Sequence, residues 1–125
     1  MRRELKEGAV IVTDSHFPRH ADELLALIEE WHAKSPPQVI FLGDVCEFLS
    51  AYIPYSVTYN QRLIDAINKL SKQTNVIYLE GNHDFLIAPL FPYVDVISLP
   101  NQPVSFYYGE NKTAALLHGD RFENA

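Results

Sequence analysis

The chain has 125 residues and a mass of 14.3 kDa, the size of one ordinary domain, with no room for two independent cores. Hydrophobic residues make up 47% and charged residues 21%, enough apolar surface to offset chain entropy, which excludes wholesale disorder. Ten Lys and Arg against 16 Asp and Glu leave a net charge of −6, and the basic residues are scattered from Arg2 to Arg121, so nucleic acid is not expected as a partner. Bound divalent cations would still let an acidic chain take a small anionic substrate.

In chain order, the start Met1 to Gly8 runs from two arginines into acidic residues instead of a long apolar stretch, and it does not read as a signal peptide. Gly8 to Thr13 is short and β-branched, predicting a buried strand that ends near Asp14. Leu24, Leu25, Ile28 and Trp31 recur at helical spacing between Ala21 and Lys34, and Ser35-Pro36-Pro37 stops that helix. Val39 to Leu42 predicts a second strand. An irregular aromatic stretch follows, and Leu63, Ile64, Ile67 and Leu70 predict a helix from about Tyr59 to Lys72. Val76 to Leu79 predicts a third strand.

Three fully apolar strands alternating with two helices predict an α/β fold with a parallel sheet covered by helices on both faces. The apolar region Phe85 to Leu99 is broken by Pro89, Pro92 and Asp95 and is too short to span a membrane. Asp95 to Leu99, Val104 to Tyr108 and Thr113 to Leu117 predict further strands, the last two joined by a turn at Gly109 to Lys112. Cys46 is the single cysteine, so no intrachain disulfide or cysteine zinc cluster is available and a reducing cytoplasm is expected. With no activating arrangement around it, Cys46 reads as a buried filler.

Four apolar runs are each followed at once by oxygen and imidazole donors: Asp14-Ser15-His16, Gly43-Asp44, Gly81-Asn82-His83-Asp84 and His118-Gly119-Asp120. In parallel α/β sheets ligands bind beyond the carboxyl ends of the strands, so these clusters are expected to converge. Glycine ahead of Asp44 and of Asn82 permits a tight turn at a strand end. Any one cluster taken alone is an ordinary solvated turn; four in order are hard to assign that way. Carboxylate, carboxamide and imidazole without thiolate suit Mn²⁺, Fe or Zn²⁺ better than Mg²⁺ or Ca²⁺. Two ions sharing a carboxylate such as Asp44 can acidify a water and clamp both oxygens of an in-line displacement, which is what phosphoester hydrolysis needs.

With these blocks the sequence resembles the calcineurin-like metallophosphoesterase family, whose ordered signature is Asp-x-His, Gly-Asp, Gly-Asn-His-Asp/Glu, His and Gly-His-x-His. The resemblance implies an αββα sandwich, a centre of two divalent metal ions and phosphoester hydrolysis. It assigns Asp14 and His16 to the first metal, Asn82 and His118 to the second, Asp44 to a bridge between them, and His83 to catalysis. In that role the His83 imidazole stabilises a phosphoryl oxygen or protonates the departing alkoxide. Asp84 either orients His83 or caps a turn, and Asp120 reads as a turn or supporting residue.

The runs Gly43 to Leu49, Gly81 to Leu86 and Leu116 to Asp120 are most similar to the bacterial UDP-2,3-diacylglucosamine hydrolase group of that family. That group cleaves a nucleotide-linked pyrophosphate in lipid A synthesis at the cytoplasmic face of the membrane. Its better-known members carry Arg at the position of His83. No histidine follows His118 to supply a Gly-His-x-His block. The expectation is therefore one domain over residues 1–125, incomplete at its carboxyl end, with the first sheet and the start of a second. Apolar faces and open edges around Val104 to Leu117 are expected to favour a homo-oligomer or a complementing chain. The rival function is a scaffold that has lost metal ligands and acts through protein contacts. A doubly wound nucleotide-binding module is disfavoured because no glycine-rich phosphate loop follows the first strand. Phe48, Tyr52, Tyr55 and Tyr59 are expected to fill a loop against the core, with a channel for acyl chains or a nucleobase as the alternative. His20 and His32 belong to no motif and are read as surface or helix-face residues instead of ligands.

Overall fold

In a computed structural model that describes residues 3–13, 15–109 and 112–117, the elements follow in the order β1 (Arg3–Glu4), β2 (Val10–Val12), α1 (Ala21–Lys34), β3 (Gln38–Phe41), α2 (Pro54–Tyr59), α3 (Gln61–Ser71), β4 (Asn75–Leu79), β5 (Asp95–Ile97), β6 (Val104–Tyr108) and β7 (Lys112–Leu116). Short 3-10 turns at Ala88–Leu90 and Leu99–Asn101 flank β5. Four strands form one parallel sheet in the order β2-β3-β4-β5, with Val10 opposite Val39, Val39 opposite Val76 and Ile77 opposite Asp95. The other three form a second sheet, β1-β6-β7, in which β6 and β7 run antiparallel and β1 runs parallel to β6.

Side chains alternate across the first sheet, so its two faces build two cores. Val39, Phe41, Val76 and Tyr78 face Leu24 and Ile28 of α1 and Leu63, Ile64, Ile67 and Leu70 of α3. Ile40, Ile77, Leu79 and Ile97 face the other way, onto Val104 and Phe106 of β6. The expectation of helices on both faces is thus corrected: one face carries helices and the other carries a second sheet. Wholly apolar strands require both faces covered but do not specify the cover. Among the described residues the layers run helix, sheet, sheet, as expected for an αββα sandwich lacking part of its second half.

The end of α1 follows its sequence. Ser35 adopts a left-handed conformation (φ 49°), its N–H donates to the Trp31 carbonyl at 2.7 Å, and Pro36 and Pro37 cannot continue the helix. The predicted helix from Tyr59 divides instead at Asn60 into α2 and α3. The buried Asn60 side chain donates through Nδ2 to the Ser56 and Phe48 carbonyls, each at 2.8 Å, anchoring the aromatic loop where the two helices meet. Tyr52, Tyr55 and Tyr59 are exposed, correcting the expectation that they fill the core. Tyr55 and Tyr59 lie one helical turn apart on the outer side of α2, while Ser56 turns inward.

The expectation of open faces and edges around Val104 to Leu117 holds in part: Val104 and Phe106 are buried against the parallel sheet, while β7 is the exposed edge strand of its sheet. The open apolar surface lies on β2 instead. Ile11 is 47% exposed although its register partner Ile40 is 0% exposed, and it takes no part in the interior that the described residues of the two sheets share. A groove of about 430 Å³ runs beside it, lined by Val12 and by Leu24, Leu27 and Trp31 of α1. Arg3 closes the far side of the molecule: its Nε and Nη2 donate to the two carboxylate oxygens of Asp95 at 2.7 and 3.1 Å, joining β1 to β5 across the two sheets.

Candidate metal centre

Three loops leave the carboxyl ends of neighbouring parallel strands and are sewn together by backbone hydrogen bonds. The loop after β2 pairs with the loop after β3: His16 N–H donates to the Asp44 carbonyl at 3.1 Å and Phe17 N–H to the Val45 carbonyl at 2.7 Å. Ser15 Oγ adds a bond to the Val45 carbonyl at 2.9 Å. The loop after β3 then pairs with the loop after β4, where Leu49 N–H donates to the His83 carbonyl at 2.8 Å and Phe85 N–H to the Leu49 carbonyl at 3.1 Å. Because neighbouring parallel strands end side by side, motif residues some 40 positions apart in sequence become neighbours, as in the 3.1 Å bond from His83 N–H to Asp44 Oδ1 (|i−j| 39).

The structure brings His16, Asp44 and His83 together. The rings of His16 and His83 meet edge to face with centroids 6.2 Å apart, and Asp44 is buried with one carboxylate oxygen on the His83 amide. Asn82 and His83 are both exposed on the loop after β4. Asp14, His118 and Asp120 lie outside the described residues. Cys46 is buried, His20 pairs with Glu23 at 2.9 Å beside the start of α1, and His32 lies in the last turn of that helix.

Asp84, Tyr78 and Gly81 matter to this geometry more than their sequence context indicates. Asp84 is wholly buried: Oδ1 accepts from the amides of Asp44 and Gly81, each at 2.9 Å, and Oδ2 accepts from Val45 N–H at 2.8 Å, Cys46 N–H at 3.3 Å and the Tyr78 hydroxyl at 2.6 Å. Burial raises the Asp84 pKa, and the Tyr78 hydroxyl and backbone amides act in the opposite direction. Burial, then the neighbouring Asp84 charge, push both the Tyr78 phenol and the Cys46 thiol well up. These partners settle the alternatives for Asp84, which binds backbone on two loops instead of the His83 ring. A sequence signal is present in the carboxylate one position past the imidazole, but three of its partners lie 38 to 40 positions away.

The described donors fit a divalent ion in kind. His16 offers imidazole, Asp44 carboxylate and Asn82 carboxamide, on loops held by a scaffold that leaves no space between them: a Cβ on Gly81 would stand 2.6 Å from the Asp44 nitrogen and 2.7 Å from Asp44 Oδ1. Among the described residues no three His, Cys, Asp or Glu side chains gather closely enough to hold an ion by themselves, so the expected centre also needs Asp14 and His118.

The model of the family described as calcineurin-like phosphoesterase matches residues 9–123. A UDP-2,3-diacylglucosamine hydrolase of Coxiella burnetii strain Dugway 5J108-111 is 24% identical over 115 residues, covering 89% of this chain and 46% of that protein. The proteins of the same description from strains RSA 331 / Henzerling II and RSA 493 / Nine Mile phase I match with the same identity and coverage. This chain therefore spans about half the length of the curated relatives it matches. Among solved structures, the Pseudomonas putida nuclease MPE superposes with a TM-score of 0.51 at 24% identity, over 74% of this chain and 48% of that one. At that identity the superposition speaks for the fold alone.

Proposed function

Because this chain belongs to the calcineurin-like phosphoesterase family, we propose that it hydrolyses a phosphodiester or pyrophosphate bond with the help of two divalent metal ions, Mn²⁺ before Fe or Zn²⁺. The observation that carries this reading is the convergence of His16, Asp44 and His83 at the ends of three adjacent parallel strands. Asp14 and His16 would hold one ion, Asn82 and His118 the other, and Asp44 both. Ions bound there supply charge to the phosphoryl oxygens and lower the pKa of water.

The remaining steps fall to the chain's own groups. Water adds to phosphorus in line with the leaving oxygen, the bond from phosphorus to that oxygen breaks, and the proton of the attacking water passes to solvent. His83 is exposed, with its amide on Asp44 and its carbonyl on Leu49, and so holds an imidazole at a fixed backbone position beside His16. In its protonated form it gives its proton to the departing oxygen, which is general-acid work.

The substrate class is a nucleotide-linked pyrophosphate, with UDP-2,3-diacylglucosamine first among candidates, supported by the similarity to the Coxiella proteins. The net charge of −6 argues against nucleic acid as the substrate. We assign the protein to the cytoplasm, in peripheral contact with the inner face of the membrane through the exposed Tyr52, Tyr55 and Tyr59. No described helix is long and apolar enough to cross a membrane. The uncovered Ile11 side of β2 fits a second copy or a complementing chain.

The test is Mn²⁺-dependent hydrolysis of bis(p-nitrophenyl) phosphate by the purified chain, with Asp44→Asn as the control for contamination. Turnover present in the unaltered chain and absent in Asp44→Asn is the expected result. Absence of both turnover and Mn²⁺ binding in the unaltered chain would refute the reading and favour the scaffold.

A further inference from the structure

Asp84 and Asp44 hold each other's loops. The Asp84 carboxylate binds the Asp44 amide at 2.9 Å, and the Asp44 carboxylate binds the amide of His83, the residue before Asp84, at 3.1 Å. The backbone around this clasp is unusual. Gly43 and Asp44 are both left-handed (φ 83° and 49°), and the successive amides of Asp44, Val45 and Cys46 all point to one carboxylate. Consecutive amides turned inward in this way form an anion-binding concavity. A left-handed non-glycine residue persists only where its surroundings hold it. Here the holding group is a side chain of the protein itself, 0% exposed and supported from behind by the Tyr78 hydroxyl.

We propose that Asp84 is a positioning residue: by filling the concavity formed by the amides of Asp44, Val45 and Cys46 together with that of Gly81, it sets the Asp44 carboxylate and the His83 backbone before any ion arrives. This rests on the phosphoesterase reading for what the preset array is for, though not for its existence. A site assembled in advance binds its ion without ordering two loops at that moment, so loss of the clasp appears as weaker metal binding. Asp84→Asn keeps the volume but turns an NH₂ donor toward amides that are themselves donors, which undoes the concavity with little change to the core.

Two measurements test this. In the unaltered chain freed of metal with EDTA, the amides of Asp44, Val45, Cys46 and Gly81 are expected to be protected from hydrogen exchange, and added Zn²⁺ is expected to change that protection little. Free exchange until Zn²⁺ is added would overturn the proposal. By calorimetry, Asp84→Asn is expected to bind Mn²⁺ about 10- to 100-fold more weakly, the range found when groups supporting metal ligands are removed. The core variant Ile67→Ala is expected to lower Tm while leaving Mn²⁺ affinity unchanged, separating positioning from general destabilisation. Unchanged Mn²⁺ affinity in Asp84→Asn, or a loss no greater than in Ile67→Ala, would overturn the proposal. If Asp84→Asn does not fold, the exchange measurement on the unaltered chain decides alone. That measurement reads protection in the metal-free chain and needs no turnover, so its outcome is separate from that of the phosphoesterase reading, which failure of the unaltered chain to bind Mn²⁺ would refute.

Discussion

At position 81 the smallest side chain is required by distance. A methyl carbon there would lie 2.6 Å from the Asp44 nitrogen and 2.9 Å from Asp84 Oδ1, and neither the backbone nor a carboxylate with five donors can withdraw without breaking bonds. Gly81→Ala is therefore expected to cost about 1–3 kcal/mol, as overpacking of a tight interior does. It should also weaken Mn²⁺ binding, readings that thermal unfolding and calorimetry supply together. Tyr78 and Cys46 give a second prediction, in alkali. Burial and the charge of Asp84 keep both protons on in the folded chain beyond the ordinary range. The unfolded chain releases them from about pH 8.5 for the thiol and about pH 10 for the phenol. Above those values the unfolded state binds fewer protons than the folded one, so stability is full below them and declines as pH rises. Tm measured from about pH 7 to about pH 10.5 should fall along the upper part of that range, and Tyr78→Phe should flatten the limb near about pH 10.

Among the elements, burial ranks the order of opening. All four residues of β3 are buried, as are the last four of β4, whereas β7 is half-buried at best on the outer side of its sheet. Amide exchange in β3 and β4 should thus approach the global unfolding limit while β7 exchanges through smaller openings, a ranking that residue-resolved hydrogen exchange checks directly. The same contrast separates what was legible in the sequence from what was not. The bounds of α1 could be read because Leu24, Ile28 and Trp31 repeat at helical spacing and two prolines end it, all local signals. The break at Asn60 could not, because it depends on the Phe48 carbonyl, 12 residues earlier. Strand β1 has two residues and exists only through its pairing with Phe106 and Tyr107, so no window of sequence announces it. The candidate ligands were legible as residue types at strand ends. The role of Asp84 is not legible locally, since its partners are backbone amides 38 to 40 positions away.

On the scale of the whole molecule, the two sheets share one interior face and are fastened at their rims by the Arg3–Asp95 pair, while the candidate centre sits where β2, β3 and β4 all end. Turns of this kind usually offer their inward amides to a phosphate. Here Asp84 already occupies that cradle, so an incoming phosphoryl group finds a seated competitor of its own sign. At this loop the backbone is thus closed to a phosphoryl group, and under the proposed activity its charge would be met by His16, His83 and bound cations. Inorganic phosphate should then bind the metal-free chain no better than chloride does. Product inhibition should appear only as Mn²⁺ is titrated in, making phosphate affinity a gauge of how fully the centre is loaded.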